Sequence, residues 1–311
     1  MKTQIQFSAG ITALCAMIAL LSLGAGTCLA ADGQKVFESP DAAFKALLEG
    51  FSKNSDEAIL EVLGQEHRDL VIQSDKEEAV GIRQKIFNCA QEHLQIVADG
   101  PKATARLGLK DWPFPIPMVK QKDGWVFDTA AGKEEILNRR IGRNELHAIH
   151  LLDIYDDAQR LYASKDRTGN KIPKYAQKLI SSKGKRDGLY WPANDSNEEV
   201  SPLAAALEDG QDFRDGQDVP YFGYYFKVLT KQGKNALNGK YDYVINGNMI
   251  AGFALVAWPA DYSASGVMTF CVSHQGVIYQ KDLGADTAKI ASGMDEYNPD
   301  RTWREVKPEE K

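Results

Sequence analysis

Between Trp112 and Met118 the chain reads WPFPIPM, with proline at every second position. Prolines at that spacing strip the N–H donors from one edge of an extended chain and leave the other edge intact. Such a segment can enter a sheet only as an edge strand. The intervening residues Trp112, Phe114, Ile116 and Met118 then share one side, which predicts an apolar face turned toward a core. Asp123-Gly124 is a turn signal and Trp125-Val126-Phe127 a returning strand, so a hairpin is expected. Upstream, Ala103, Ala105, Leu107 and Leu109 alternate with polar residues, as in a half-buried strand.

The period before these strands is helical. Ser39-Pro40-Asp41 combines a capping hydroxyl, proline at the first helical position and an acid near the positive end of the helix dipole. Phe44, Leu47, Leu48 and Phe51 follow at helical spacing. A second helix is expected over Asp56 to Leu63, with Gly64 as its stop. A third starts near Glu77 and carries Val80, Arg83, Ile86, Phe87, Ala90 and Leu94 on one stripe. Helices followed by antiparallel strands predict an α+β domain over residues 31–132.

A second domain is expected over residues 133–305, followed by a charged tail at 306–311. A long helix to about Ala163 carries an apolar stripe of Ala148, Leu151, Tyr155, Ala158 and Tyr162. The opposite stripe is polar and holds His147, His150, Asp153, Asp157 and Arg160. After a loop-rich stretch come strand segments at 222–229, 241–245, 249–258, 266–272 and 276–280. Asn238-Gly239 and Asn246-Gly247 are strong hairpin signals. The fold class predicted for the whole chain is α+β: N-terminal helices with an antiparallel hairpin, then a long helix packed on an antiparallel β-meander.

Ahead of both domains, Lys2 precedes an uncharged apolar run from Ile11 to Leu23, and Cys28-Leu29-Ala30 presents a small-x-small pattern. The run is shorter than the roughly 20 residues of a membrane-spanning helix. Residues 1–30 are therefore expected to be a secretory signal cleaved before Ala31, giving a periplasmic or secreted bacterial protein with no integral membrane segment. The whole chain carries a formal charge of −6. Removing the signal makes it more acidic, which argues against nucleic acid as a partner. Of four cysteines, Cys89 and Cys271 lie beyond the signal, and two free thiols are expected ahead of a disulfide.

The runs DWPFPIPMVKQKDGWVFDTAAGKEEILNRRIGRNEL, GKRDGLYWP, PYFGYYFKVLT and FALVAWPADYSASGVMTFCVSHQGVIYQKDLG resemble a family of exported bacterial proteins catalogued as domain of unknown function 2950. That resemblance covers nearly all of the chain after residue 30 and implies export without implying a mechanism. A second one covers about half the chain. Asn144-Glu145, Ala148-Ile149, Asp157-Ala158-Gln159 and Tyr162 are similar to the amphipathic helix of type IV pilin and pseudopilin heads, and Phe253 to Gly284 to their sheet. The apolar half-helix that pilins pack into a filament is missing, and DGWVFDTAAGKEEILNRRIGR at 123–143 stands in its place. The implication is a pilin-like head that does not polymerise, a monomer or small oligomer whose partner would be an envelope, pilus or secretion-system protein. The N-terminal part loosely resembles an NTF2-like cone, which implies a pocket near Trp112 and Trp125.

Candidate chemistry is sparse. His147-x-x-His150 with Asp153 and Asp157 on one helix face could offer ligands to a metal, but the tighter H-E-x-x-H arrangement is absent and a solvated polar stripe explains the same residues. Asp166, Thr168 and Asn170 occupy positions 1, 3 and 5 of a degenerate calcium loop, in which Lys171 and Gln177 replace the required glycine and acid. Ser182-x-x-Lys185 matches one motif of penicillin-interacting serine enzymes without its companions. Glu134-Glu135 sits at a helix start, where it answers the helix dipole. Tyr190, Trp191, Tyr221 and Tyr224 could line a groove for peptide, glycan or a partner strand. The function expected from all of this is a non-enzymatic scaffold or interaction protein of the cell envelope with no cofactor, the degenerate loop at Asp166 keeping calcium as a weak alternative. The alternative is a periplasmic small-ligand binder or hydrolase using a pocket in the N-terminal domain.

Overall fold

The computed structural model describes residues 33–72, 75–167, 169, 171–192, 199–206 and 219–307. The expected signal, the expected start of the mature chain at Ala31, and Thr168 and Asn170 lie outside them. The chain divides into two compact units between Asn138 and Arg139.

In the first unit, helix α1 (Pro40–Ser52) opens as expected, with the Ser39 hydroxyl accepting the Ala42 N–H at 3.1 Å. Its face of Ala43, Phe44, Leu47, Leu48 and Phe51 is buried. Helix α2 (Asp56–Leu63) is capped by Ser55 and stops at Gly64, whose φ of 101° suits glycine. Helix α3 (Arg68–Val71) is a single turn. Helix α4 (Lys76–Glu92) follows the expected stripe in part. Arg83 and Ala90 are buried as expected, whereas Val80 is exposed and the helix ends before Leu94. The Arg83 guanidinium donates to Asn54 Oδ1 and Asp56 Oδ1, both at 2.6 Å, and to the Val71 carbonyl at 2.7 Å. A cation so bonded can be buried where a valine is not needed.

Leu94 instead opens strand β1 (Leu94–Asp99), which pairs with β2 (Lys102–Leu107). The proline segment is two strands rather than one: β3 (Trp112–Pro113) and β4 (Met118–Gln121), with bends at Pro115 and Ile116. Both pieces pair with β2, and Phe114 N–H donates to the Ala105 carbonyl at 2.8 Å. On the proline side, the Pro117 carbonyl accepts the Asp128 N–H at 2.8 Å. Strand β5 (Gly124–Phe127) completes the expected hairpin with β4, in register Met118 to Phe127. Phe114, Ile116 and Met118 face the core as expected, but Trp112 is 42% exposed and Leu109 86% exposed. Leu109 sits in the turn over 108–111, opened by Gly108 (φ 67°), where the alternation of β2 has ended, and Trp112 follows it on the exposed piece β3.

Helix α5 (Thr129–Ala163) contains the division between the units. Its stripe of Ala148, Leu151, Tyr155, Ala158 and Tyr162 is buried in the core of the second unit. A short helix α6 (Pro202–Ala206) follows. The next strands are β6 (Tyr224–Leu229), β7 (Lys231–Gln232), β8 (Tyr241–Asp242), β9 (Val244–Ile245) and β10 (Asn248–Met249). Strands β11 (Ala254–Pro259), β12 (Met268–Ser273) and β13 (Tyr279–Asp282) form the meander, then come helix α7 (Thr287–Ser292), β14 (Glu296–Tyr297) and β15 (Arg304–Glu305). The main sheet has the order β15-β13-β12-β11-β6, all antiparallel. Every residue of β11 is buried, so both sheet faces are covered. A second sheet, β14-β7-β8, joins β14 to β7 in parallel. The fold is thus α+β.

Asn246 and Gly247 take φ of 49° and 77° between β9 and β10, the left-handed pair of a two-residue hairpin turn. Asn238-Gly239 also adopts positive φ, but within a longer connection from β7 to β8. The loop between β11 and β12 is clamped by two neighbours on α5. Asn144 donates to the Ser265 carbonyl at 2.9 Å, and Glu145 Oε1 accepts the N–H groups of Val267 and Met268 at 2.9 and 3.0 Å. Cys89 and Cys271 are both free thiols. Among the described residues, no helix is long and apolar enough to cross a membrane.

Candidate functional site

Strand β6 ends at Leu229 and β7 begins at Lys231, so the chain passes directly from the main sheet into the small one. β14 lies beside β7 with Glu296 opposite Lys231. Between these strands, β12 and the segment around Trp303 lies a cleft of about 410 Å³. That size falls within the range of roughly 300–1,000 Å³ usual for small-molecule sites. Leu229 and Cys271 are deeply buried at its base, and Met294 and Trp303, half-buried, add apolar wall.

The polar lining comes from Lys231, Asp295, Glu296 and Asn298. Asp295 is already engaged by Lys227, whose ammonium stands 3.3 Å away and also donates to the Ser292 carbonyl at 2.9 Å. Asn298 accepts the Asn235 N–H at 2.9 Å. Lys231 and Glu296 differ. They are neighbours across the parallel pair, yet neither has an ion pair or side-chain hydrogen bond among the described residues. Burial pushes up the Cys271 thiol and, as the main cause, the Tyr297 phenol, so both stay protonated at neutral pH. A protonated, enclosed thiol is a poor nucleophile. What the cleft offers is shape, the Lys231 cation, the Glu296 carboxylate beside an Asp295 already paired with Lys227, and an aromatic wall. No sequence signal marks it: Lys231, Glu296 and Trp303 come from segments that only the tertiary fold brings together.

The residues singled out from sequence are placed elsewhere. His147 is half-buried, its ring 3.9 Å from that of Phe222 and its Nδ1 2.8 Å from the Arg143 carbonyl. His150 and Asp153 are exposed on α5. Among the described residues, no three His, Cys, Asp or Glu side chains gather closely enough to hold a metal, so His147, His150 and Asp153 form no such site. Asp166 binds its own loop, accepting Gly169 N–H at 2.9 Å and Lys171 N–H at 2.7 Å. Lys171 has the left-handed φ of 60° that a calcium loop reserves for glycine.

Ser182 and Lys185 are linked only through the backbone of a turn. The lysine that reaches the Ser182 hydroxyl is Lys178, donating at 2.7 Å, while that hydroxyl donates to Asp187 at 2.9 Å. Partial burial on its own raises the Asp187 carboxyl. Hydrogen bonds from Lys178 and from the Ser182 N–H and hydroxyl outweigh it and hold the group at about 2. Lys178 donates to both the Ser182 hydroxyl and the Asp187 carboxylate, so it stands here as a hydrogen-bond donor and not as the base a serine nucleophile needs.

Tyr190, Trp191 and Tyr224 are core residues rather than groove lining. Tyr224 donates to the Met268 carbonyl at 2.9 Å, and Trp191 to the Glu199 carbonyl at 3.1 Å. Tyr221 is half-buried against Phe222, with ring centres 4.7 Å apart. In the first unit Trp125 is buried on β5, hydrogen-bonded through its backbone to Phe37, while Trp112 leans on Phe114 from β3. The two tryptophans sit on strands that do not pair. Phe44, Phe114 and Phe127 fill the space beneath the sheet, with ring centres 5.3 and 6.4 Å apart.

No curated protein and no solved structure matches this chain. The pattern of runs around the proline segment and the late β-meander does match a family model over residues 34–306, from the approach to α1 through β15, and the chain belongs to that family, described as Protein of unknown function (DUF2950).

Proposed function

We propose that this chain is an exported, non-enzymatic binding protein of the bacterial cell envelope, acting as a scaffold or interaction protein through its second unit. The observation that carries the reading is the cleft beside β7 and β14, where Lys231 and Glu296 present unspent charge next to Trp303 and Met294. Recognition needs such groups. Hydrolysis would need an activated nucleophile, and both candidates are held inactive: Cys271 by burial, Ser182 by its charged neighbours. The packed core of the first unit weighs against a binding pocket around Trp112 and Trp125.

Export rests on Lys2, the apolar run Ile11 to Leu23 and the small-x-small pattern before Ala31. A pilin-like head that stays soluble agrees with the exposed His150, Asp153, Asp157 and Arg160 along α5, polar groups that a filament core would strand. Intact mass of protein recovered from the periplasm or medium should begin at Ala31, and a full-length mass held in the inner membrane would overturn the export reading. A ligand panel scored by thermal shift, run beside a pull-down from envelope extract, should return a ligand or partner whose binding is weakened by substitutions at Lys231 or Glu296. Binding insensitive to those substitutions would refute the assignment to the cleft.

A further inference from the structure

We propose that the cleft takes a small zwitterion with an apolar body, namely a free α-amino acid with an aliphatic or thioether side chain; this rests on the cleft being the binding site. Lys231 and Glu296 are neighbours across the parallel pair of β7 and β14, with opposite charges and, among the described residues, no ion pair or side-chain hydrogen bond of their own. No ion pair within 4 Å joins them, although adjacent strands bring them side by side. Two unlike charges held near but apart suit a ligand that carries both charges on one carbon. Its carboxylate would meet the Lys231 ammonium and its ammonium the Glu296 carboxylate.

Two further carboxylates stand near. Asp242, opposite Lys231 on β8, lies outside the cleft lining and makes no ion pair with it. Asp295 is neutralised by Lys227, whose other hydrogen bond fixes it to the Ser292 carbonyl. The rest of the lining sets the side chain. Leu229 and Met294 are aliphatic or thioether, Trp303 adds an aromatic wall, and the Cys271 thiol at the base is neutral. A second charged group on the ligand would be desolvated there without a partner, which is costly. The site therefore selects apolar amino acids against glutamate or lysine, and needs both main-chain charges.

The test is isothermal titration of L-leucine and L-methionine into protein expressed with its native N-terminus and purified. Leucinamide, which lacks the carboxylate, 4-methylpentanoate, which lacks the ammonium, and L-glutamate are titrated in parallel. Leucine or methionine should bind, with all three control compounds weaker by at least tenfold. Lys231→Met and Glu296→Gln should each weaken leucine binding at least tenfold, in protein whose melting temperature stays within a few degrees of the parent. The analogue series needs no variant, so it stands even if a substitution impairs folding. Equal binding of leucine and leucinamide, or no binding of either amino acid, overturns the ligand class. If a different ligand or a protein partner then proves sensitive to Lys231 and Glu296, the cleft remains the binding site and only the ligand class fails. If nothing does, both fail.

Discussion

Asp187 shows what one side chain contributes when its neighbours are arranged around it. Its carboxylate takes two hydrogen bonds from Ser182 and one from Lys178 and lies well below its ordinary 3.8, at about 2. A folded-state pKa lower than the unfolded one gives stability that is present above the unfolded value and lost as pH falls from about 4 to 2. Asp187→Asn should cost about 1–2 kcal/mol at neutral pH after allowance for solvent screening. It should also flatten the acid limb of a stability-versus-pH curve, and an unchanged limb in urea titrations across that range would contradict the assignment. His274 works in the same direction at higher pH. Burial lowers its pKa from 6.5, so the unfolded chain binds the proton more readily and stability falls as pH drops below about 6.5. Arg83, which the helical stripe placed on the inner face, is buried there as a cation. Arg83→Met should destabilise by about 2 kcal/mol, because three short hydrogen bonds to Asn54, Asp56 and Val71 vanish together. Chemical denaturation measures this directly.

At the scale of elements, the helices were the most legible parts. The Ser39-Pro40 start of α1, the Gly64 stop of α2 and the apolar stripe of α5 are local signals, and local hydrogen bonds and burial realise them. The proline segment was legible in its facing from Phe114 to Met118, but not at Trp112 and not in its continuity. Proline alternation marks where donors are missing, whereas the bend at Pro115 and Ile116 depends on what the chain must pass. Ile116 abuts Gly132 of α5, where an added Cβ would lie 2.6 Å from its Cγ1. Gly132→Ala should therefore destabilise by about 1–2 kcal/mol, since overpacking outweighs the helix propensity gained. The same change in an Ile116→Ala background should be neutral or stabilising. A double-mutant cycle by thermal melts reads the coupling, and additive effects would refute the contact.

For the molecule as a whole, two separate cores predict two cooperative blocks. Phe44 is fully buried among Phe114 and Phe127 in the first core. Phe44→Ala should cost about 3–5 kcal/mol and raise hydrogen exchange over residues 40–127, while amides of β11 and β12 keep their protection. Equal loss in both blocks would show a single cooperative core instead. The sequence by itself determined the α+β class, the starts of α1 and α2 and the Gly64 stop, the facing of Phe114, Ile116 and Met118, and the acidity that disfavours nucleic acid, because each follows from periodicity, capping or charge carried by neighbouring residues. Only the tertiary structure decided that Tyr190, Trp191 and Tyr224 are core, that Lys178 rather than Lys185 reaches Ser182, and that Lys231, Glu296 and Trp303 share a cleft. Those outcomes depend on which distant strands pair and in which register, a matter of long-range packing that no local pattern encodes.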